Sequence, residues 1–185
     1  MALSVVILAA GQGKRMRSAL PKVLHRLGGK PLLEHAYRAA RDLRPEQVYV
    51  VYGHGGEQVR DTLGYLGVQW IEQDRQLGTG HAVAQVLPLV TSGIDPGDMV
   101  LVLYGDVPLI TSETLDRLVK ASDGGRLALL TVELPDPSGY GRIVRDAAGQ
   151  VQRIVEDRDA SPVERGIGEV NTGMMAVSAS HLKQW

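Results

Sequence analysis

The stretch VVILAAGQGKRM, residues 5–16, changes abruptly from apolar to glycine-rich and cationic. Leu3–Ala9 is a run of strand length that is apolar except for Ser4, which predicts a central parallel strand covered on both faces. Gly11 and Gly13 follow at once, so their loop lies at the carboxyl edge of the sheet, where α/β proteins bind ligands. The stretch therefore predicts an α/β fold with a ligand site at the end of its first strand.

Two interpretations of this loop stay open. Backbone amides there can hold an anion, and Arg15 and Lys22 add a rigid fork and a point charge for phosphate oxygens. The spacing Gly11-x-Gly13 has neither the third glycine of the dinucleotide fingerprint nor the spacing of a P-loop. A tight turn with solvated cations is therefore the alternative to a phosphate site.

Composition and charge exclude several classes of protein. The 185 residues carry a net charge of -1, with 44% hydrophobic and 22% charged residues, and contain no cysteine. These values suit one globular domain and argue against a nucleic-acid partner, which usually requires a strongly basic domain. The missing cysteine excludes a disulfide scaffold and fits a reducing compartment. No apolar run has the length of a membrane span and no signal peptide is recognised, so we expect a cytoplasmic protein with no membrane partner.

Strand and helix patterns alternate along most of the chain. The predicted strands are Leu3–Ala9, Gln47–Tyr52, Val68–Ile71, Met99–Tyr104 and Leu127–Leu134. The predicted helices are Leu32–Leu43, which begins directly after Pro31, Glu57–Leu66, Thr79–Val90 and Ser112–Ala121. This order implies right-handed crossovers and a doubly wound, mostly parallel, Rossmann-like sheet. The pattern then changes to a β-hairpin, Tyr140–Arg145 with Val151–Glu156, and a further strand, Val170–Val177.

The segment YGDVPL, residues 104–109, ends the second fully apolar strand. Asp106 is thus a lone carboxylate at the same sheet edge as the glycine loop. One carboxylate completed by phosphates and water suits Mg²⁺. The alternative is an Asp that closes a turn before Pro108. The position at the strand edge favours the metal.

The segment QDRQLGTGHA, residues 73–82, follows the third strand. Its glycines, Gly78 and Gly80, let a flat ligand approach the backbone closely, and the amide of Gln73 or Gln76 can read a base edge. The alternative is a glycine turn followed by a helix that Thr79 caps.

The segments GYGRI (139–143) and EVNTG (169–173) belong to the later hairpin and strand. Within this region, Glu156 and Asn171 can hydrogen-bond sugar hydroxyls or an amide. A solvated Glu and a strand-end Asn are the alternative, and the local sequence leaves both open.

Five segments together resemble one family. LAAGQGKRMRSALPKVLH resembles the signature of sugar-nucleotide pyrophosphorylases, which are nucleotidyltransferases. QLGTGHA, LYGDVPL, GYGRIV and EVNTG, in that order, resemble the bacterial bifunctional N-acetylglucosamine-1-phosphate uridyltransferases/glucosamine-1-phosphate acetyltransferases. The resemblance covers essentially the whole chain and implies the nucleotide-diphospho-sugar transferase fold. It also implies a Mg²⁺-dependent enzyme that makes UDP-N-acetylglucosamine and pyrophosphate from UTP and N-acetylglucosamine 1-phosphate, for cell-wall and lipopolysaccharide precursors. A pyrophosphorylase for another sugar or nucleotide, and a fragment that only binds nucleotide, are the alternatives.

The resemblance also implies roles for individual residues. The residues lining the nucleotide site are Leu8, Ala9, Ala10 and Gly11. The catalytic cations facing the triphosphate and the transferred phosphate are Arg15 and Lys22. The residues reading uracil are Gln73, Gly78 and Thr79. The residues of the ribose and metal region are Tyr104, Gly105 and Asp106, with Asp106 the Mg²⁺ ligand. The residues holding N-acetylglucosamine are Gly141, Glu156 and Asn171.

Two features of the family have no counterpart in the chain. The second metal ligand of the family is an Asn in an N-x-x-E-like segment further along, and the acetyltransferase domain is a left-handed β-helix of hexapeptide repeats. We therefore expect residues 1–185 to be a uridyltransferase domain that is incomplete at its C-terminus. The full-length protein is expected to be a homotrimer through the absent β-helix.

Overall fold

The computed structural model describes residues 2–11, 16–53, 56–93, 95, 97–122 and 125–184. The chain divides into two units, Met1–Ala128 with Met175–Trp185, and Leu129–Met174. Before the second unit, the elements in chain order are β1 (Leu3–Ala9), β2 (Arg26–Leu27), β3 (Lys30–Pro31), α1 (Leu32–Arg41), β4 (Gln47–Gly53), α2 (Glu57–Leu63), β5 (Gln69–Gln73), α3 (Thr79–Ala84), α4 (Leu87–Val90), β6 (Met99–Tyr104) and α5 (Ser112–Ala121). They are followed by β7 (Ala128–Glu133), β8 (Arg142–Arg145), β9 (Val151–Val155), α6 (Pro162–Arg165), β10 (Glu169–Ser178) and α7 (Ala179–Leu182).

The first unit is built on a parallel sheet with the strand order β5-β4-β1-β6. Residues 175–178 of β10 add an antiparallel strand beside β6. β1 lies between β4 and β6, and its residues Val5, Val6 and Ile7 are fully buried. The chain passes to β4 on one side of β1 and to β6 on the other, which creates the switch point where such sheets bind ligands. The predicted doubly wound, mostly parallel sheet is confirmed.

Apolar side chains on the helices cover this sheet. In one core cluster, Val6 and Leu8 of β1 pack with residues of α3, α4 and α7, namely Ala82, Val83, Val90, Ala179 and Leu182. The helix α1 buries Leu33, Ala36 and Ala40, which lie at helical spacing on one face. No helix in the described part of the chain is long and apolar enough to span a membrane.

The second unit contains the predicted hairpin. β8 and β9 pair antiparallel, and the backbone of Asn171 and Val170 joins β10 to the chain at Gly141 and Arg142. The turn of the hairpin is held by Asp146, whose Oδ1 accepts hydrogen bonds from the backbone N–H groups of residues 148 and 150. An Asp that accepts from its own turn in this way is a common use of the residue.

The structure corrects several predicted elements. The single helix predicted over Thr79–Val90 is two short helices, α3 and α4, because Pro88 has no N–H to donate to the carbonyl of Ala84. The N-cap of α3 is Gly78 instead of Thr79. The helix predicted over Glu57–Leu66 ends at Leu63 and continues as a 3₁₀ turn. The ribbon of β2 and β3 and the helix α6 are additional to the predicted elements.

Candidate active site

A cavity of about 310 Å³ opens at the carboxyl edge of the sheet in the first unit. Its size falls within the range of small-molecule sites, roughly 300–1,000 Å³. The walls come from the loops after β1, β5 and β6, from the start of α3 and from the 3₁₀ turn that begins at Lys22. The lining residues are Leu8, Ala9, Ala10, Gly11, Lys22, Val23, Gln73, Gln76, Gly78, Thr79, Ala82, Tyr104 and Asp106.

The structure brings most of the predicted nucleotide-site residues to this cavity. Gly105 is the one described residue of that predicted set that does not line it. Its N–H donates to the carbonyl of Leu8 at 2.9 Å. A Cβ built on Gly105 would lie 2.8 Å from Cδ1 of Leu33, so the glycine lets β6 end close against α1. Arg15, the second predicted catalytic cation, lies outside the described residues.

Lys22 and Asp106 form an ion pair at the cavity. The Lys22 Nζ atom lies 2.6 Å from Oδ2 of Asp106, and 36% of the lysine and 28% of the aspartate side chain are exposed. The neighbours of Lys22 in the 3₁₀ turn, Val23 and Leu24, are buried and fix the turn. A pair this accessible to solvent contributes only about 0–1 kcal/mol to stability. Its charges are therefore available to a ligand in the cavity.

The Gln73 side chain is buried, with only 2% of its surface exposed. Its Nε2 group donates to the carbonyl of Gly78 at 3.1 Å and lies 3.0 Å from Nδ1 of His81. Gly78 has a φ of +102°, a conformation that favours glycine. Nε2 is thus held by the carbonyl of Gly78, and also by His81 in the tautomer whose Nδ1 is unprotonated, while Oε1 is the acceptor that the amide can offer to a ligand.

Gln76 connects three loops at the sheet edge. Its Nε2 donates to the carbonyl of Ala10, after β1, at 2.9 Å. A Cβ built on Gly53, at the end of β4, would come within 2.5 Å of the same Nε2 and 2.9 Å of the Ala10 oxygen. The amide therefore lies directly over Gly53. Since its N–H group is engaged by Ala10, Gln76 holds the loop, while Gln73 is the better placed of the two glutamines to read a base.

Tyr104 contributes a phenol to the cavity wall. Burial raises the pKa of its hydroxyl, the nearby charge of Asp106 raises the pKa further, and a hydrogen bond with Thr79 opposes the shift. The phenol is therefore neutral at physiological pH and can both donate and accept a hydrogen bond.

The predicted sugar-binding residues lie together in the second unit. The N–H of Asn171 donates to the carbonyl of Gly141 at 2.8 Å. A Cβ on Gly141 would lie 2.9 Å from Cγ2 of Ile154, so a larger residue there would displace that side chain, and 3.5 Å from Oε1 of Glu156, which is an ordinary contact. Oδ1 of Asn171 accepts from the N–H of Gly173 at 2.9 Å. The amide group of Asn171 and the exposed carboxylate of Glu156 are thus the polar groups that this cluster offers.

Within the described residues, no group of three or more His, Asp or Glu side chains forms a ready metal centre. Asp106 supplies one carboxylate at the cavity. A single carboxylate with substrate phosphates is a common way to hold Mg²⁺, so the residue present fits that ion.

Two apolar lining residues, Val23 and Ala82, were missed by the sequence analysis. Their sequence signals are present: Val23 adjoins Lys22, and Ala82 lies three positions after Thr79, on the same face of a helix. They give the cavity the apolar wall against which a base can pack.

The fold and the cavity define a class of protein. A doubly wound sheet whose switch point opens onto a Lys–Asp pair and a buried amide is the arrangement of an α/β nucleotidyltransferase of the nucleotide-diphospho-sugar transferase fold. The chain belongs to the family of MobA-like NTP transferase domains, whose family model matches residues 5–167.

Curated relatives match the whole chain at high identity. This chain is 61% identical over 183 residues to the Bifunctional protein GlmU of Aromatoleum aromaticum. The alignment covers 99% of this chain and 39% of that protein. The chain is 59% identical over 183 residues to the protein of the same name from an Azoarcus species, with 99% and 40% covered. The chain therefore spans about 40% of the length of these relatives.

Solved structures share the fold at low sequence identity. A putative glucose-1-phosphate thymidylyltransferase from Bacillus anthracis matches with a TM-score of 0.76 at 20% identity, covering 98% of this chain and 73% of that one. HddC from Yersinia pseudotuberculosis, complexed with GMP-PN, matches with a TM-score of 0.71 at 22% identity, covering 98% and 79%. These likenesses support the nucleotidyltransferase fold.

Proposed function

We propose that this chain is a uridyltransferase domain that makes UDP-N-acetylglucosamine and pyrophosphate from UTP and N-acetylglucosamine 1-phosphate. The observation that carries the proposal is that one cavity is lined both by the buried Gln73 amide and by the Lys22–Asp106 pair. The identity of 61% to a bifunctional GlmU protein, along nearly the whole chain, supports the choice of substrates.

Recognition of uracil follows from the orientation of the Gln73 amide. With Nε2 donating to the carbonyl of Gly78, Oε1 is the acceptor that we assign to the base. Uracil carries an N3–H donor at its pairing edge, whereas cytosine carries an unprotonated N3 acceptor there. An acceptor set against an acceptor leaves two lone pairs in contact, so Gln73 favours UTP over CTP. A misplaced buried hydrogen bond costs about 1–3 kcal/mol, which corresponds to roughly 5- to 150-fold in affinity.

The reaction joins two anions, and the charged residues of the cavity lower their repulsion. A phosphate oxygen of the sugar phosphate attacks the α-phosphorus of UTP in line, the bond from that phosphorus to the β-phosphate oxygen breaks, and pyrophosphate leaves with its electron pair. The nucleophile is already ionised, so the step needs no general base. Lys22 stabilises the charge on the transferred phosphate, and the neighbouring loop after β1 positions the triphosphate.

Asp106 is proposed to hold the metal ion. A bound Mg²⁺ supplies Lewis-acid stabilisation of charge on the phosphate oxygens. In the described structure, Oδ2 of Asp106 accepts from Lys22, so the carboxylate has a second oxygen for a cation. The same carboxylate therefore orients Lys22 and provides an oxygen ligand.

We assign the sugar to the cluster of the second unit. Glu156 is exposed and Asn171 keeps its amide N–H₂ group as a donor, so together they offer an acceptor and a donor to hydroxyl and acetamido groups. Gly141 lies beside Glu156, and a Cβ there would come within 2.9 Å of Cγ2 of Ile154, the residue two positions before Glu156. Cytoplasmic location follows as a proposal from the use of UTP, and the homotrimer stays a prediction for the longer protein.

Calorimetric titration with UTP, CTP, GTP and ATP tests the recognition of the base. UTP is expected to bind at least fivefold more tightly than CTP and more tightly than either purine nucleotide. The variant Gln73→Glu keeps an acceptor and adds a charge that opposes its contact with the carbonyl of Gly78, so the preference for UTP should shrink. Equal affinity for all four nucleotides would overturn the assignment of Gln73.

A further inference from the structure

We propose that Arg142 is the positioning residue of the sugar-binding cluster, an inference that rests on the proposed function because it concerns the same cluster. Its side chain is only 1% exposed, and it heads the fully buried side chains of the described residues by volume. Charged side chains are almost never fully buried unless they are paired. The partners of the guanidinium group therefore identify what it does.

The guanidinium group joins two segments that carry sugar-binding residues. Its Nη1 donates to the carbonyl of Tyr140, and its Nη2 donates to Oδ1 of Asp157 at 2.8 Å. Tyr140 directly precedes Gly141, and Asp157 directly follows Glu156. One planar group thus fixes the separation between the two segments.

The third residue of the cluster is connected through the backbone. Asn171 donates its N–H to the carbonyl of Gly141 at 2.8 Å, and Val170 pairs with Arg142 in the strand register. Arg142 positions Gly141 by binding the carbonyl of the preceding residue, Tyr140. Because Gly141 in turn binds the backbone of Asn171, Arg142 also influences the position of Asn171. All of these residues belong to the second unit.

Stability alone does not account for this arrangement. The Nε atom of Arg142 is buried and has no hydrogen-bond partner among the described residues. Burying the guanidinium group costs desolvation energy, which offsets much of its attraction to the 40% exposed Asp157 side chain, and an unsatisfied buried N–H group adds a further cost. An apolar side chain of similar size would serve packing as well. What only a guanidinium group provides is a rigid fork that binds a carbonyl and a carboxylate at fixed geometry.

The test compares how tightly the chain binds UDP and UDP-N-acetylglucosamine by calorimetry. The ratio of the two dissociation constants measures the contribution of the sugar, and for the unmodified chain we expect it to exceed about ten. Arg142→Met keeps an apolar stem and removes the fork. This variant should bring the ratio of the dissociation constants close to one while changing the affinity for UDP by no more than about twofold. Arg142→Lys keeps the charge without the fork and should lower the ratio at least threefold.

A matched control comes from the same hairpin. Arg153 forms an exposed ion pair with Glu164, so Arg153→Met removes the same charge without touching the cluster and should leave the ratio unchanged. If Arg142→Met fails to fold, Asp157→Asn tests the role of Arg142 instead, because asparagine keeps an acceptor atom but forms a weaker, uncharged hydrogen bond with the guanidinium group. It should lower the ratio about threefold.

The outcomes separate this inference from the proposed function. A ratio near one for the unmodified chain would refute the assignment of the sugar, whatever the variants do. A ratio above ten that persists in folded Arg142→Met, or in Asp157→Asn where that variant decides, would overturn the role of Arg142 and leave the proposed function standing.

Discussion

Gly53→Ala is a small change with a large expected effect, because the new methyl group has no room. Gly53 does not occupy a positive-φ conformation, so alanine is acceptable to the backbone and the effect is purely steric. The added Cβ would lie 2.5 Å from Nε2 of Gln76 and 2.9 Å from the carbonyl oxygen of Ala10. The Gln76 amide must move by about 1 Å to restore an ordinary contact, which breaks its hydrogen bond to Ala10.

The expected magnitude combines these two effects. Overpacking costs about 1–3 kcal/mol and the lost hydrogen bond about 0.5–1.5 kcal/mol. We therefore expect a loss of about 3 kcal/mol in the free energy of unfolding, or about 6–12 °C in Tm for a chain of this length. Because Ala10 lines the cavity, the affinity for UTP should fall about fivefold, the equivalent of one net hydrogen bond.

Thermal unfolding and UTP calorimetry on the same samples measure both effects. Gly64→Ala is the matched control, since a Cβ at Gly64 meets nothing within 4 Å and its φ of -56° is helical. That variant should be about 0.4–1 kcal/mol more stable and bind UTP unchanged. Gln76→Ala added to Gly53→Ala should restore part of the stability, because only the contact with Ala10 remains. Unchanged Tm and UTP affinity in Gly53→Ala would refute the reasoning.

Two further predictions concern charged groups. Lys22→Met should change the free energy of unfolding by less than about 1 kcal/mol, because the pair with Asp106 is accessible to solvent, yet it should weaken UTP binding at least tenfold. Lys120→Met removes a lysine from an exposed pair with Asp116 and should change neither quantity. A large Tm loss with normal UTP affinity in Lys22→Met would make Lys22 structural. Glu34 is buried, and hydrogen bonds from Tyr65 and then Arg38 hold the pKa of its carboxyl below the ordinary 4.5. The unfolded chain therefore binds this proton first as pH falls, so the stabilisation is present above about pH 4.5 and is lost as pH drops through the lower folded pKa. In urea unfolding, Glu34→Gln should be about 1 kcal/mol less stable than the unmodified chain at pH 7, and its free energy of unfolding should fall less steeply as the pH is lowered. An equally steep fall in both proteins would contradict this role of Glu34.

The sequence was sufficient to predict the sheet and much of the cavity. Met99–Tyr104 is apolar throughout and Leu3–Ala9 is apolar except for Ser4, so their burial and parallel pairing follow from composition. Residues that directly follow these strands, among them Gly11 and Asp106, must then lie at one edge.

Features that depend on contacts between distant segments could not be predicted in the same way. The role of Gln76 requires Ala10, 66 positions away, and Gly53 to lie beneath one amide. The burial of Arg142 is hidden in the sequence because an arginine in a hairpin is usually solvated. Periodicity also failed at Pro88, where the apolar spacing continues although the backbone hydrogen bonds cannot.

The central claim is tested most directly by product formation. The 185-residue chain is incubated with Mg²⁺, N-acetylglucosamine 1-phosphate and each of UTP, CTP, GTP and ATP, and pyrophosphate and the sugar nucleotide are quantified together. We expect equal amounts of pyrophosphate and UDP-N-acetylglucosamine with UTP, at least fivefold less product with CTP, and loss of both products in Lys22→Met and Asp106→Ala. Binding of UTP without transfer, or equal turnover of all four nucleotides, would contradict the central claim.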